Sequence, residues 1–303
     1  MIPILFFRLP RTTVSSCLKT CGQTRSFSGA QIHRPRALPE FSLQDKVCVV
    51  TGAARGLGNV ICKGFIESGC TSLAMIDLVK SDAEAAAADL IASFVKNGQT
   101  EEGDIKAVGI GCDVSSETSV KSAMAEVIDN FGQIDALVTS AGICENYTAL
   151  DYPAERLNRL FDINVHGSFY CAREAARHML VRKTGSIVLI ASMSANIVNI
   201  PQVQAPYNSS KAAVKHMAAS LGVEWAKLGV RVNALSPGYM LTKLTKQVLS
   251  GDEELRKTWE TLTPMGRMGD PEELKGAAIF LASDASRFVT ASELRVDGGY
   301  SAV

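Results

Sequence analysis

The sequence predicts an α/β fold in which a doubly wound parallel sheet carries helices on both faces. From about residue 43 onward, short apolar runs alternate with longer amphipathic stretches. Buried parallel strands are continuous apolar runs, and a connection between two of them is long enough to hold a helix. The 303 residues are 47% hydrophobic and 20% charged, as in a globular protein rather than a disordered one. Because no repeat or long linker interrupts the pattern, we expect one domain over residues 41–303.

The predicted elements follow one another in a regular order. Six apolar runs are interpreted as strands, at residues 47–51, 73–77, 106–112, 134–139, 186–191 and 230–235. Helices are predicted at about residues 58–68, from residue 81, and over 117–131, 154–183 and 207–228. Ser81 and Glu84 have the spacing of a capping box, so we expect a side-chain cap where the second helix begins.

Charge and cysteine usage exclude several classes of protein. Thirty-one basic residues balance thirty-one acidic ones, so no net field favours nucleic acid or an anionic membrane. No segment after the N-terminus offers about eighteen uninterrupted apolar residues, so no membrane span is expected. The eight cysteines are scattered without CxxC pairs, which argues against a metal site and a disulfide framework. We therefore expect a reduced, intracellular protein without a structural metal.

Residues 1–39 differ in composition from the rest of the chain. They contain six basic residues and no acidic residue, and Arg25-Ser26-Phe27-Ser28 resembles a matrix-protease cleavage region. This composition predicts a mitochondrial targeting segment. A secretory signal would place its positive charge before the apolar run at residues 2–7, whereas here the arginines follow it. An ordinary disordered extension on a cytoplasmic protein is the alternative.

A glycine-rich turn, Thr51-Gly52-Ala53-Ala54-Arg55-Gly56-Leu57-Gly58, separates the first strand from the first helix. Glycines let a backbone turn tightly and approach a pyrophosphate, which the positive end of the helix then stabilises. Such a turn also closes ordinary loops, but its position between a buried strand and a helix favours a dinucleotide site.

Asp77 and Arg55 give opposing indications about the dinucleotide. Asp77 ends the second strand, 19 residues after Gly58, where a carboxylate can accept hydrogen bonds from the adenosine ribose and repel a 2′-phosphate. Arg55 in the turn could instead pair with that phosphate. A strand-end aspartate is also common in turns. We favour NAD(H), with NADP(H) as the alternative.

Tyr207 and Lys211 lie four residues apart at the predicted start of a helix, and therefore on one face. A free phenol, with a pKa of roughly 10, is a poor base at neutral pH. A nearby ammonium would favour the phenolate and lower that pKa, which would make Tyr207 useful in acid–base chemistry. The same spacing is common by chance on surface helices.

Further short motifs place these residues in a recognisable series. In chain order they are the turn at 51–58, Cys112-Asp113-Val114, Ser140-Ala141-Gly142, Asn164, Ser192, Tyr207-x-x-x-Lys211, Pro237-Gly238-Tyr239-Met240-Leu241-Thr242 and Val296-Asp297-Gly298-Gly299. Together they resemble the short-chain dehydrogenase/reductase family from about residue 43 to the end. The resemblance implies a single Rossmann-type domain with a sheet of about seven strands, and hydride transfer between NAD(P)(H) and a carbonyl or secondary alcohol.

The resemblance also implies catalytic roles. Tyr207 would be the general acid in reduction and the base in oxidation, and Lys211 would lower its pKa and bind the nicotinamide ribose. Ser192 would hydrogen-bond the substrate oxygen, and Asn164 would hold a water in a proton relay. Ser194 has the commoner spacing to Tyr207, but Ser192 falls at the strand end, so we assign the role to Ser192 and expect Ser194 beside it.

Further cofactor contacts are carried over from the family motifs. Asp113 would bind the adenine amino group. Ser140 replaces the family's usual asparagine, so one hydrogen bond in the cofactor loop would be rearranged. The complete set of expected cofactor-binding residues is Gly52, Arg55, Gly56, Leu57, Gly58, Asp77, Asp113, Val114, Ser140, Ala141, Gly142, Asn164, Tyr207, Lys211, Pro237, Gly238, Met240 and Thr242.

The substrate is expected to be a small molecule. Residues 199–207 resemble the corresponding segment of yeast carbonyl and ketose reductases, and the region 192–240 resembles fungal ketose reductases and polyol dehydrogenases. This resemblance implies a xylulose, arabinitol, mannitol or sorbose couple. A 3-oxoacyl, small-ketone or steroid reductase is the alternative, and a non-catalytic cofactor sensor on the same fold is an alternative of another class. The resemblance further implies a homotetramer or dimer built through the helices at 154–183 and 207–228.

Overall fold

Seven parallel strands form one sheet in the order β3-β2-β1-β4-β5-β6-β7. The strands are β1 (Val47–Thr51), β2 (Ser72–Asp77), β3 (Lys106–Gly111), β4 (Ala136–Thr139), β5 (Gly185–Ile190), β6 (Val230–Pro237) and β7 (Glu293–Val296). The computed structural model describes residues 38–303, apart from the side chains of Leu244 and Val248. The targeting segment predicted at 1–39 therefore lies outside the described residues, except for Leu38 and Pro39.

Helices occupy the connections between the strands. They are α1 (Gly56–Glu67), α2 (Lys80–Lys96), α3 (Glu117–Phe131), α4 (Ala154–Phe161), α5 (Gly167–Arg182), α6 (Ala205–Trp225), α7 (Lys243–Val248), α8 (Glu253–Leu262) and α9 (Lys275–Ala282). Within residues 38–303, no helix has the length and apolar character that a bilayer crossing requires.

The sheet is covered on both faces because its strands are apolar on both sides. Along β1, Val47 and Val49 pack with α3, α5 and α6, whereas Cys48 and Val50 pack with α1, α2 and α9. This alternation follows from the two-residue period of a strand. The predicted doubly wound α/β fold with seven strands is therefore confirmed.

The sheet has its switch point between β1 and β4. The chain moves outward from β1 to β2 and β3, then returns across the sheet to β4 on the other side of β1. The loops that follow β1 and β4 consequently part from each other, and this parting opens a crevice at the carboxyl ends of the strands. The glycine-rich turn and Ser140-Ala141-Gly142 both lie at this crevice.

The long helix predicted at 154–183 is interrupted. A π-helical turn at Asp162–His166 separates α4 from α5. Such wide turns are uncommon and frequently occur at functional sites. The interruption contains Asn164, which the sequence places in the catalytic constellation.

The predicted side-chain cap of the second helix is wrong. The residue that caps α2 is Val79, and no side chain accepts a hydrogen bond there. Because the helix begins at Lys80, Ser81 already lies within its first turn. Asp82 is the acidic residue of that turn, where a negative charge stabilises the helix dipole.

Candidate active site

The first turns of α6 carry both residues of the Tyr207–Lys211 pair. The helix begins at Ala205, with Pro206 in its first turn, where the missing N–H of a proline costs nothing. The Lys211 ammonium nitrogen lies 5.8 Å from the centre of the Tyr207 ring. The prediction that both side chains reach one small volume is therefore confirmed.

Lys211 has a buried ammonium with one strong backbone acceptor. Its side chain is only 7% exposed, and its Nζ donates a hydrogen bond to the carbonyl of Ile190 at 2.8 Å. Burial lowers the pKa of Lys211 to about 8, since desolvation disfavours its charged form. The group can therefore exchange a proton near physiological pH.

Ser192 stands just beyond the carboxyl end of β5, where the chain makes a short 3₁₀ turn at Met193–Ala195. Its Oγ accepts a hydrogen bond from the Ser194 amide and donates one to the Ser194 hydroxyl, both at 3.1 Å. Of the two serines, Ser192 is the one whose hydroxyl lowers the pKa of the Tyr207 phenol. The structure therefore places Ser192 and Ser194 as expected, with Ser192 facing Tyr207.

The pKa of Tyr207 moves in the direction opposite to the one expected. Burial raises the pKa of the phenol, the neighbouring Cys144 adds to the rise, and the Ser192 hydroxyl opposes it only in part. Lys211 does not reverse this because its ammonium is itself desolvated and bonded to Ile190. In the protein alone, the prediction that Lys211 lowers the phenol pKa is wrong.

A chain of hydrogen bonds fixes the turn that carries Ser192. Asn196, at the end of that turn, donates to the Glu293 carboxylate at 2.6 Å and accepts from Lys215 of α6 at 2.6 Å. Glu293 also accepts from the buried hydroxyl of Ser236 at 2.7 Å. The Ser192 turn is consequently held between α6 on one side and β6 and β7 on the other.

Asn164 is fully buried and joins three parts of the site. Its Oδ1 accepts from the Ile143 amide at 2.9 Å, and its Nδ2 donates to the Ile143 carbonyl at 2.9 Å and to the Ser210 hydroxyl at 3.1 Å. A Cβ at Gly142 would lie 3.1 Å from Asn164 Oδ1 and 3.6 Å from Lys211 Nζ. The structure therefore brings Asn164, Gly142 and Lys211 together.

The glycine-rich turn leaves the amino end of α1 open. Gly52 has φ +65°, and a Cβ at Gly58 would lie 2.2 Å from the Gly52 carbonyl oxygen, so both positions require glycine. Gly56, at φ +61°, has no atom within 4 Å of where its Cβ would stand. No side chain caps α1, since Arg55 at its start is exposed and accepts nothing. Free N–H groups above an open turn fit a dinucleotide phosphate.

Asp77 lies against the glycine-rich turn. Its Oδ2 accepts a hydrogen bond from the Ala54 amide at 2.9 Å, and its Oδ1 accepts from the Leu78 amide at 2.8 Å. Each carboxylate oxygen keeps further acceptor capacity. The carboxylate is thus fixed beside the turn by two backbone donors while it can still accept a hydrogen bond from a ligand hydroxyl.

The residues after β3 and β4 line the same crevice. Asp113 is exposed, and its Oδ1 accepts hydrogen bonds from the amide and hydroxyl of Ser115 at 3.0 and 2.6 Å. Val114 is buried. The Ser140 amide donates to the Thr51 carbonyl at 3.2 Å, and the Ala141 amide donates to the Thr51 hydroxyl at 3.3 Å. The backbone of this loop is therefore joined to the end of β1.

The Pro237–Thr242 segment leaves β6 on the other side of Ser192. A Cβ at Gly238 would lie 2.7 Å from Asp297 Cα, so only glycine fits there. Met240 is buried, and Thr242 caps α7 by accepting a hydrogen bond from the Thr245 amide at 3.1 Å. The segment therefore starts at the carboxyl end of β6, and its expected contact with the cofactor stays a prediction.

Sequence reasoning missed a group of uncharged polar side chains beside Tyr207. They lie on four separate segments: Cys144, Asn199, Gln202, Gln204, Asn208 and Tyr239. The signal available in the sequence was the run of amide residues between 199 and 208, immediately around Tyr207. Among residues 38–303, no group of three or more histidine, cysteine, aspartate or glutamate side chains is placed to hold a metal ion.

Comparison with known proteins identifies the family. A family model described as "Enoyl-(Acyl carrier protein) reductase" matches residues 52–301. D-arabinitol 2-dehydrogenase (ribulose-forming) of Candida tropicalis is 39% identical over 87% of this chain and 95% of its own length. NADH-dependent L-xylulose reductase of Ambrosiozyma monospora is 39% identical over 87% of this chain and 98% of its own length.

A solved structure of similar fold is that of a gluconate 5-dehydrogenase from Burkholderia cenocepacia in complex with NADP and tartrate. It aligns with a TM-score of 0.79 and 32% identity, and covers 88% of this chain and 98% of that one. The chain belongs to the short-chain dehydrogenase/reductase family. It is an oxidoreductase of that family, with an NAD(P)-type dinucleotide as its cofactor.

The lowered pKa of Lys211 should make the free energy of unfolding of the protein depend on pH. Because the folded pKa of about 8 lies below the ordinary value of 10.5, the unfolded chain binds more protons between these values, and stability rises with pH there. Relative to Lys211→Met, the free energy of unfolding of the wild type should increase by roughly 2 to 3 kcal/mol from about pH 7 to about pH 10. Urea denaturation at a series of pH values measures this.

The control is Lys257→Met, which removes an exposed lysine of α8. Its stability difference from the wild type should stay flat over the same range. A flat difference for Lys211→Met as well would show that the Lys211 ammonium is solvated in the folded protein.

Proposed function

We propose that this enzyme interconverts a neutral ketose and the corresponding polyol, with NAD(H) as its preferred cofactor. One observation carries the proposal: Ser192, Tyr207 and Lys211 meet at the carboxyl edge of the sheet, beside the open glycine-rich turn and a wall of uncharged amides. The arabinitol and xylulose enzymes similar to this chain support the substrate class, as their names specify polyol or ketose partners.

The proposed chemistry assigns one task to each residue. When bound, the nicotinamide ring supplies or accepts the hydride. Tyr207 donates the proton to the carbonyl oxygen in reduction and removes it from the alcohol in oxidation. Ser192 donates a hydrogen bond to the same oxygen, which stabilises the charge that develops on it. Its hydroxyl is already oriented by Ser194, so little reorganisation is required.

Lys211 and Asn164 supply the proton path in this proposal. An ammonium with a pKa of about 8 can pass a proton onward at neutral pH, which the raised pKa of Tyr207 makes necessary. Asn164 is bonded to Ile143 and Ser210 and cannot rotate freely, so its position in the proposed relay beside Gly142 and Lys211 is fixed. The proposed roles thus follow from burial as much as from contact.

A panel of substrates tests the proposed function. The full-length chain is supplied with NADH or NADPH and with pentuloses, hexuloses, sugar acids, 3-oxoacyl thioesters and simple ketones, and cofactor oxidation is followed spectrophotometrically. The proposal expects the highest kcat/KM with a neutral ketose and NADH. A clear preference for an acid or a thioester would overturn the substrate class, and cofactor binding without any turnover would favour the cofactor-sensor alternative.

Tyr207→Phe should lose turnover, by about a thousandfold or more, because no phenol remains to exchange the proton. Dinucleotide affinity should stay within about twofold, since the ring itself is preserved. Steady-state kinetics and a fluorescence titration with NADH measure the two effects. The matched control is Tyr147→Phe, the same change at an exposed tyrosine, which should keep full activity. Normal turnover by Tyr207→Phe would refute the assigned mechanism.

NAD(H) preference is proposed because Asp77 is fixed beside the turn by the amides of Ala54 and Leu78. A 2′-phosphate next to that carboxylate would be repelled. Its attraction to Arg55 would be weaker, because the Arg55 side chain is exposed and its charge is screened by solvent and salt. The NADP in the similar gluconate 5-dehydrogenase belongs to that protein. The expected preference depends on this chain's own aspartate.

Asp77→Ser should shift the ratio of kcat/KM with NADH to that with NADPH towards NADPH by about tenfold or more, since about 1.4 kcal/mol of repulsion is removed. Initial rates with both cofactors and one substrate measure the ratio. Asp82→Ser, which removes an exposed carboxylate of α2, should leave it unchanged. An unchanged ratio in Asp77→Ser would mean that Asp77 does not face the ribose.

We propose that residues 1–39 direct the protein to mitochondria, on the basis of their six basic and no acidic residues. A fusion of these residues to a fluorescent protein tests this, and diffuse cytoplasmic fluorescence would contradict it.

We also propose a homodimer or homotetramer, supported by the exposed apolar side chains of Val181 on α5 and Val223 on α6. Analytical ultracentrifugation of the purified chain would distinguish these states from a monomer.

A further inference from the structure

Gln204 makes three hydrogen bonds to three separate segments of the site. Its Nε2 donates to Asn199 Oδ1 and to Asn208 Oδ1, both at 3.0 Å, and its Oε1 accepts from the Cys144 thiol at 3.7 Å. Both amide hydrogens are therefore used, and the side chain is only 7% exposed. Gln204 lies immediately before α6, three residues before Tyr207. From there it connects Asn199, Asn208 and Cys144 to one another rather than binding the substrate.

The hydrogen-bond chain continues from Asn199 to Tyr239. The buried Asn199 amide donates to the Tyr239 hydroxyl at 3.0 Å, and this hydroxyl donates in turn to Gln202 at 3.2 Å. The Tyr239 ring stacks on Trp259 of α8, with ring centres 4.0 Å apart and an interplanar angle of 7°. The position of the Tyr239 hydroxyl is thus set by Asn199 and Gln202 at one end of the side chain and by the stack at the other.

These side chains face the reacting groups and carry no charge. Cys144 and Tyr239 are both joined by hydrogen bonds to the segment just before Tyr207, Cys144 through Gln204 and Tyr239 through Asn199, and both raise the pKa of the Tyr207 phenol. Burial raises the pKa of Cys144 to about 11 and that of Tyr239 to about 12, so both stay protonated at neutral pH. The other members of the network are amides, which are neutral at every physiological pH.

These uncharged side chains form one wall of the cleft, and a wall of neutral donors and acceptors selects for hydroxyl groups. A buried carboxylate needs a cation, and the ammonium of Lys211 is already bonded to Ile190. An apolar ketone would leave the polar groups without partners, which costs free energy. A hydroxyl both donates and accepts, so it matches a surface of uncharged side chains that offer donors and acceptors together.

We propose that Gln204 is a specificity-determining positioning residue, which fixes Asn199 and thereby the Tyr239 hydroxyl so that this wall binds the hydroxyl groups next to the reacting carbon of a ketose or polyol. The inference rests on the proposed function, since it explains how that substrate class is recognised. In this proposal Gln204 acts through Asn199 rather than on the substrate itself, because both of its amide hydrogens are already donated to protein acceptors.

The test compares two substrates in one variant. Gln204→Met keeps the length and burial of the side chain but removes its hydrogen bonds. The kcat/KM for a pentulose should fall about tenfold or more, mainly through KM, because one to two neutral hydrogen bonds between the substrate hydroxyls and the displaced Tyr239 and Asn199 side chains are lost. The kcat/KM for an unsubstituted ketone of similar size should change less than about twofold. Both are measured at saturating NADH, and Gln99→Met, at an exposed glutamine, is the matched control.

Tyr239→Phe provides a second and independent variant. It removes only the hydroxyl and keeps the stack on Trp259, so it should fold even if Gln204→Met does not. The same selective loss with the pentulose is expected. A parallel loss with both substrates, or no loss with either, would overturn the inference. A wild-type enzyme that turns over simple ketones and no ketose or polyol would instead overturn the proposed function, so the two failures are distinguishable.

Discussion

The active site depends on the burial of one cation, the Lys211 ammonium. A desolvated ammonium must be bonded to an acceptor, and the carbonyl of Ile190 at the end of β5 provides it. This bond fixes α6 against the carboxyl edge of the sheet. Ser192 follows Ile190 by two residues, and Tyr207 precedes Lys211 by one helical turn, so the same bond brings both into reach. The distances in the site follow from this attachment of a helix to a strand.

Much of the architecture could be predicted from the sequence because its signals are local. The apolar run at 47–51 and the glycine-rich turn after it are adjacent in the chain. The run by itself predicts a buried strand, and the glycines by themselves predict a tight turn. The seventh strand, Glu293–Val296, is partly exposed and was implied only by the family resemblance. The break at Asp162–His166 could not be foreseen. It satisfies Asn164 through the backbone of Ile143, a residue 21 positions away in the sequence.

In the site too, features set by local spacing could be predicted, and features set by contacts between distant segments could not. The four-residue spacing of Tyr207 and Lys211 fixes their common face. The direction of the Tyr207 pKa does not follow from spacing, because desolvation and Cys144 both act on the phenol through the tertiary fold. The amide network was missed for a similar reason. Asn199 and Gln204 look like ordinary loop residues until folding buries both.

The wide turn at Asp162–His166 also sets the rotational phase of the helices on either side of it. A π-turn holds one residue more than an α-turn, and each residue of an α-helix rotates the chain by about 100°. Removing one residue from this turn would leave a continuous helix but rotate α4 by that angle relative to α5. Arg156 would then swing away from Glu145, its ion-pair partner beside Cys144. The extra residue of the π-turn is therefore what keeps Arg156 opposite Glu145 while α5 keeps its own face against the sheet.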